Sequence, residues 1–298
     1  MGALCGLGSA WLFGISAPLG KLLLPRVDGW VLAGLFYLGA GAGLSVFRAV
    51  QPVGRGDRAR ARLQRHDLRL LLPIAILGGG AGPVLLLVGL RHLSGVAGSL
   101  LLNLEAVFTM LLAVLFFGER LSVGETIAAA VVLAGAVLLS MGDGRVAAEF
   151  VGVAAIVGAC LAWALDNNLT ARLAHRNAVD LVRFKSLTAG LGNLALALAA
   201  GRKLPEPAIG AAALAVGFVC YGVSIVLDVY ALRYIGAARE AAFFATAPFA
   251  GAITAVPLLG ERTGVRALTA ACVMAAGIAL LVRQRRQQTG SNLSSEKG

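Results

Sequence analysis

Apolar stretches long enough to cross a lipid bilayer recur along the whole sequence, at about 3–24, 30–47, 70–90, 94–117, 123–141, 150–171, 182–200, 208–231, 236–258 and 264–282. In hydrocarbon every backbone amide and carbonyl must find its partner within the protein, which leaves only helices and closed barrels. A membrane strand needs only about ten residues, so stretches of this length are helical. The sequence therefore predicts an all-α integral membrane protein with about ten transmembrane helices. Composition agrees: 58% of residues are hydrophobic and 14% charged, against about 45–50% and 25% in soluble domains. The 39 glycines suit helices that must approach closely to pack in lipid, as do the runs "GAGAG" (39–43) and "GGGAG" (78–82).

The net charge of +11 raises the question of nucleic acid, but the basic residues lie mostly between apolar stretches. The longest basic segment, "RAVQPVGRGDRARARLQRHDLR" (48–69), has no aromatic residue on which a base could stack. The positive-inside rule explains the pattern and excludes a nucleic-acid partner. An inner N-terminus puts most of the Lys and Arg on the inner side, Arg183 and Lys185 counted among them, and leaves Arg91, Arg202 and Arg266 outside. The expectation is a multi-pass protein of a bacterial-type inner membrane with both termini cytoplasmic. The start, "MGALCGLGSAWLFG", lacks a basic n-region, so the first helix is expected to be retained. Cys5, Cys160, Cys220 and Cys272 form no CxxC and have no histidine at ligand spacing, which predicts small packing residues and no metal or cofactor.

The chain repeats itself. "VGLRHLSGVAGSLLLNLEAVFTMLLAVLFFGER" (88–120) aligns without a gap on "YALRYIGAAREAAFFATAPFAGAITAVPLLGER" (230–262), with Gly118-Glu119-Arg120 on Gly260-Glu261-Arg262. A weaker match sets Trp11 on Trp163. The halves are thus 1–141 and 149–286, each of five helices, followed by a disordered polar tail at 287–298. Five is odd, so the second half must be inverted relative to the first, a recurrent plan of secondary transporters.

These segments, together with "CLAWALDNNLTARLA" (160–174), resemble the drug/metabolite transporter superfamily in its EamA-like ten-helix branch. The fourth span has Ala106 where the family pattern places Pro, whereas the ninth keeps Pro248, so no proline is present to break the fourth helix. The resemblance implies a permease that exports small metabolites such as amino acids by alternating access, with a coupled proton as a further partner. The rival readings are a membrane enzyme acting on lipid-linked substrates and an assembly protein. No GxSxG, HExxH or Walker loop is present, which speaks against an enzyme and against ATP as the driving force. A homodimer is left open.

Polar residues inside apolar spans mark the candidate substrate site. Glu105, beside Asn103, is a membrane carboxylate expected to face a cavity and meet a substrate ammonium or a proton. The alternative is an ion pair with Arg91 or Arg239. Asp166, Asn167 and Asn168 cluster one turn beyond Trp163. There Asp166 suits a cationic group and Asn167 both donor and acceptor roles, unless the helix ends at the interface. Trp11 and Trp163 suit walls of a central cavity. Ser16, Tyr221, Ser224 and Thr246 add hydroxyls, which serve equally well as helix-to-helix hydrogen bonds. "SVGE" (122–125) has the spacing of a capping box, and the twin "GER" motifs read as structural.

Overall fold

The computed structural model describes residues 1–50, 63–118, 121–141, 146–173, 176–235 and 237–295. It is helical, with no strand among these residues. Among the described residues, nine helical segments are long and apolar enough to cross a membrane. The remaining expected span, 182–200, is the helix Ala178–Ala199, whose early turns carry Asp180, Arg183 and Lys185. Lys185 lies within this helix, as the expected span 182–200 has it. The last helix, Val265–Ser295, continues through most of the segment expected to be a disordered tail.

The same departures from regular helix occur in both halves. The third span passes from Leu68–Ile74 through a π-helical segment, Ala75–Ala81, into Gly82–His92. The eighth does so from Pro207–Gly217 through Phe218–Val223 into Ser224–Ile235. The fourth span is broken between Gly95–Leu101 and Leu104–Phe117, the ninth between Ala237–Phe244 and Ala247–Leu259. No proline accounts for the fourth break. Asn103 Nδ2 donates to the Leu100 carbonyl at 2.8 Å, and the Leu102, Asn103 and Glu105 amides bond three residues back, to Ser99, Leu100 and Leu102. A side chain that competes for the helix ladder thus replaces proline as the breaker. In the ninth span Thr246 Oγ1 donates to the Phe243 carbonyl at 2.6 Å.

Helix pairing is matched as well. The second span lies along the seventh and the fifth along the tenth; the sixth packs on the third and fourth as the first packs on the eighth and ninth. The contact between second and eighth spans is backbone to backbone. A Cβ on Gly39 would come within 2.1 Å of the Leu214 carbonyl oxygen, and one on Gly217 within 2.0 Å of that of Phe36. Gly217→Val should lower the thermal midpoint in detergent by the equivalent of about 1–3 kcal/mol of overpacking. Gly192→Ala, where a Cβ meets nothing within 4 Å, should leave it unchanged.

The expected capping box is present: Ser122 Oγ accepts from the Glu125 amide at 3.2 Å and Glu125 Oε2 from the Ser122 amide at 2.9 Å. Both broken spans end on a left-handed glycine, Gly118 at φ 66° and Gly260 at φ 65°, a conformation that costs a side-chain-bearing residue far more. Glu261 then caps a helix of the other half, its carboxylate accepting from the Gly95 amide at 2.6 Å and the Val96 amide at 2.9 Å. Glu119 and Arg120 lie outside the described residues. Cys160 and Cys220 are buried, Cys5 is half-buried and Cys272 is exposed. Packing therefore accounts for the first three and not for Cys272.

Candidate functional site

A cavity of about 410 Å³ opens where the two helix breaks face each other. Asn103, Glu105 and Thr109 line it from the fourth span and Asn167 from the sixth, with Asp228 and Glu240 opposite, on the eighth and ninth. Phe13, Phe244, Pro248 and Ile278 supply apolar walls. Asn167 Nδ2 donates to Glu105 Oε1 at 2.8 Å, which ties the fourth span to the sixth. Asn103, though 2% exposed, has an Oδ1 without a hydrogen-bond partner, and Thr109 Oγ1 is likewise unpaired. Buried polar atoms are rarely left unsatisfied, so these two are available to a bound solute.

Of the residues expected at the site, the structure thus brings together Asn103, Glu105 and Asn167. Arg91, one alternative partner for Glu105, instead lies 3.6 Å from Asp28, and the Arg239 side chain lies outside the described residues. Asp166 does not line the cavity. It is buried and ion-paired with Lys185, and it accepts from Thr170 Oγ1 at 3.3 Å. Its charge is already compensated by a lysine one helix away, which removes the reason to assign it a cationic substrate group.

Trp163 is buried beside this pair, and its Nε1 donates to the Gly78 carbonyl at 2.8 Å. Tyr37 Oη donates to the same oxygen at 2.7 Å, and Asn193 Nδ2 to the Gly79 carbonyl at 3.0 Å. The π-helical segment shifts the ladder and leaves these carbonyls open to side chains. Trp163 is therefore a hydrogen-bonding strut of the third span, not a cavity wall. Trp11 is 50% exposed and outside the lining, so the two tryptophans do not share a role.

The expected hydroxyls lie away from the cavity too. Ser16 and Tyr221 are buried next to each other, Tyr221 within an aromatic group in which Phe13 and Tyr37 lie 5.6 and 5.4 Å from its ring. Ser224 Oγ is 3.5 Å from Ser9 Oγ, and Thr246 serves the helix break. Asp228 and Glu240, which line the cavity, were not among the expected site residues. An acidic residue within an apolar span was the available signal, and Arg239 beside Glu240 masked it.

A bundle of bilayer-length helices around a half-open, largely apolar cavity that carries carboxyl and amide groups is the architecture of a membrane transporter. The chain belongs to the EamA-like transporter family, whose profile matches residues 1–141 and 150–283. It is 30% identical over 285 residues to an uncharacterized transporter of Methanothermobacter thermautotrophicus, covering 90% of this chain and 82% of that one. Over 119 residues, 40% of this chain and 39% of the relative, it is 29% identical to a protein of Streptantibioticus cattleyicolor named "Probable terminal-alkyne amino-acid exporter". A solved crystal structure superposes with a TM-score of 0.65 over 96% of this chain and 98% of its own at 19% identity, a likeness of fold alone.

Proposed function

We propose that the protein is a secondary permease that exports small metabolites such as amino acids or related compounds across the inner membrane by alternating access. The observation that carries this reading is the unequal chemistry of the two helix breaks at one cavity. On the fourth span the break presents Glu105, a partner for an ammonium group. On the ninth span Ala247 stands at the matching position, so the start of Ala247–Leu259 offers a helix N-terminus without an acid in its first turn, suited to a carboxylate. Phe13, Phe244 and Pro248 would take an apolar side chain. A cavity of about 410 Å³ falls within the ~300–1,000 Å³ of small-molecule sites. The name of the Streptantibioticus relative points to the same substrate class. The cavity lies within one chain, so a homodimer is not needed to form it.

The matched breaks, π segments and helix pairings support two repeats, 1–141 and 149–286, inverted by their odd span number and able to rock about the cavity. Purified protein in proteoliposomes should exchange a radiolabelled mixture of proteinogenic amino acids by counterflow. Exchange no faster than in protein-free vesicles would contradict the proposal.

The basic bias supports a cytoplasmic position for both termini. Single cysteines at Gly56, outside the described residues, and at Gly290, on a background without native cysteines, should both escape an impermeant thiol reagent in intact cells. Labelling of one alone would require an odd number of spans.

A further inference from the structure

We infer that Glu261, the acid of the second GER motif, is a latch that holds the bundle shut on the side away from the cavity and must release before the cavity opens there. The inference rests on reading the cavity as a transport site and adds the contact that keeps one of its two entrances closed.

Consecutive spans run in opposite directions, so the even-numbered spans all end on one side of the membrane. The cavity lies in that half of the bundle. Glu105 and Thr109 line it beyond the fourth-span break, Asn167 close to the end of the sixth-span helix at Ala171, and Leu281 on the last turns of the tenth span. The basic bias supports this side as the cytoplasmic one.

The opposite face is tied across the two halves of the chain. Gly260, left-handed, turns the chain out of the ninth span. Glu261 then accepts from the Gly95 amide at 2.6 Å and the Val96 amide at 2.9 Å, at the start of the fourth. Lys21, from the first span, donates to the Leu90 carbonyl at 2.8 Å and the Leu93 carbonyl at 2.5 Å, at the end of the third. The turn between third and fourth spans is thus held by a carboxylate on its amides and an ammonium on its carbonyls. Hydrogen bonds to ionised groups are about twice as strong as neutral ones. Arg202 also lies 3.8 Å from Asp28, and Arg266 Nη1 donates to the Met141 carbonyl at 2.5 Å, but both contacts are exposed to solvent, which competes for them.

Beneath the latch the seal is made of backbone. A Cβ on Gly14, which lines the cavity, would come within 2.2 Å of the Ala247 carbonyl oxygen. One on Gly251 would come within 2.6 Å of the Gly14 carbonyl oxygen and 2.8 Å of Ser99 Oγ. First and ninth spans therefore touch with no side chain between them. The Ser99 hydroxyl, buried against Gly251, has no hydrogen-bond partner among the described residues. Closing the seal thus costs a hydrogen bond that water would restore on opening, and the charged tie above it offsets that cost. Release of Glu261 frees the turn between third and fourth spans to move with its own half.

The reactivity of a cysteine in the cavity tests the latch without any substrate. Ala245→Cys, on the cavity wall and in a background without native cysteines, should react with an impermeant thiol reagent in inside-out vesicles and be protected in intact cells. Adding Glu261→Gln should raise the labelling rate in intact cells by roughly tenfold or more, the factor for a lost hydrogen bond to a charged group. Glu261→Asp, which keeps the charge, should fall between. Lys21→Met loosens the same turn and should raise labelling as well, so the test stands even where Glu261→Gln does not fold. Equal labelling from both sides before any latch substitution would overturn the latch. So would outer labelling unchanged in variants that elute as a monodisperse peak, even with a lowered thermal midpoint, since Glu261 would then be a helix cap alone. Latch-dependent labelling in protein that shows no counterflow would keep the latch and overturn the transport reading instead.

Discussion

Glu105→Gln is expected to slow amino-acid counterflow by roughly one to two orders of magnitude, the loss associated with a hydrogen bond to a charged partner worth about 1.5–3 kcal/mol. The amount of folded protein should not change. Asn167 Nδ2, which donates to Glu105 Oε1 at 2.8 Å, can donate equally to the amide oxygen of Gln, so the link between fourth and sixth spans survives and only charge is lost. Glu105→Asp should retain part of the activity, because the carboxylate remains but sits farther from the solute. The measurement is counterflow normalised to the monodisperse size-exclusion peak. Full activity in Glu105→Gln would mean that the carboxylate serves the helix contact and not the solute.

The second large effect falls on abundance. Asp166→Asn should sharply reduce the folded protein, because it strands the Lys185 ammonium beside Gly78 with no carboxylate to offset it. The side chains are 4% and 16% exposed for Asp166 and Lys185, and removing one partner of a buried pair costs about 3–5 kcal/mol. Asp166→Asn combined with Lys185→Met should restore abundance, since an apolar side chain of similar length needs no counter-charge. Fluorescence-detected size exclusion of the two variants decides the matter. Normal abundance with lost transport in the single variant would return Asp166 to the substrate site that its sequence neighbourhood first indicated.

That reversal shows what the sequence made legible and what it did not. Span number, the Ser122–Glu125 cap, the matched segments around Gly118 and Gly260, and the cavity positions of Asn103, Glu105 and Asn167 all follow from local physics: helix length in a bilayer, cap spacing, and the cost of a polar group in hydrocarbon. Asp166 obeys the same cost, but its offset comes from Lys185, 19 residues away on the next helix. Counting basic residues by side had used that lysine only as a mark of the inner side. Trp163 was legible as buried yet not as a strut, because its acceptor exists only where the π-helical turn at Ala75–Ala81 frees the Gly78 carbonyl. The fourth-span break escaped a search for proline because an asparagine side chain makes it. Glu240 escaped although it lies within the expected ninth span, 236–258; the fold sets it on the cavity opposite Glu105.

The central claim is that this cavity carries amine-bearing metabolites out of the cell through Glu105. The most direct measurement is mass-spectrometric profiling of culture medium from cells expressing the wild type or Glu105→Gln at equal membrane abundance. Amino acids or related ammonium compounds should be enriched in the wild-type medium and fall to the level of non-expressing cells with Glu105→Gln. Indistinguishable media from wild-type and non-expressing cells, or equal enrichment with the variant, would contradict the account.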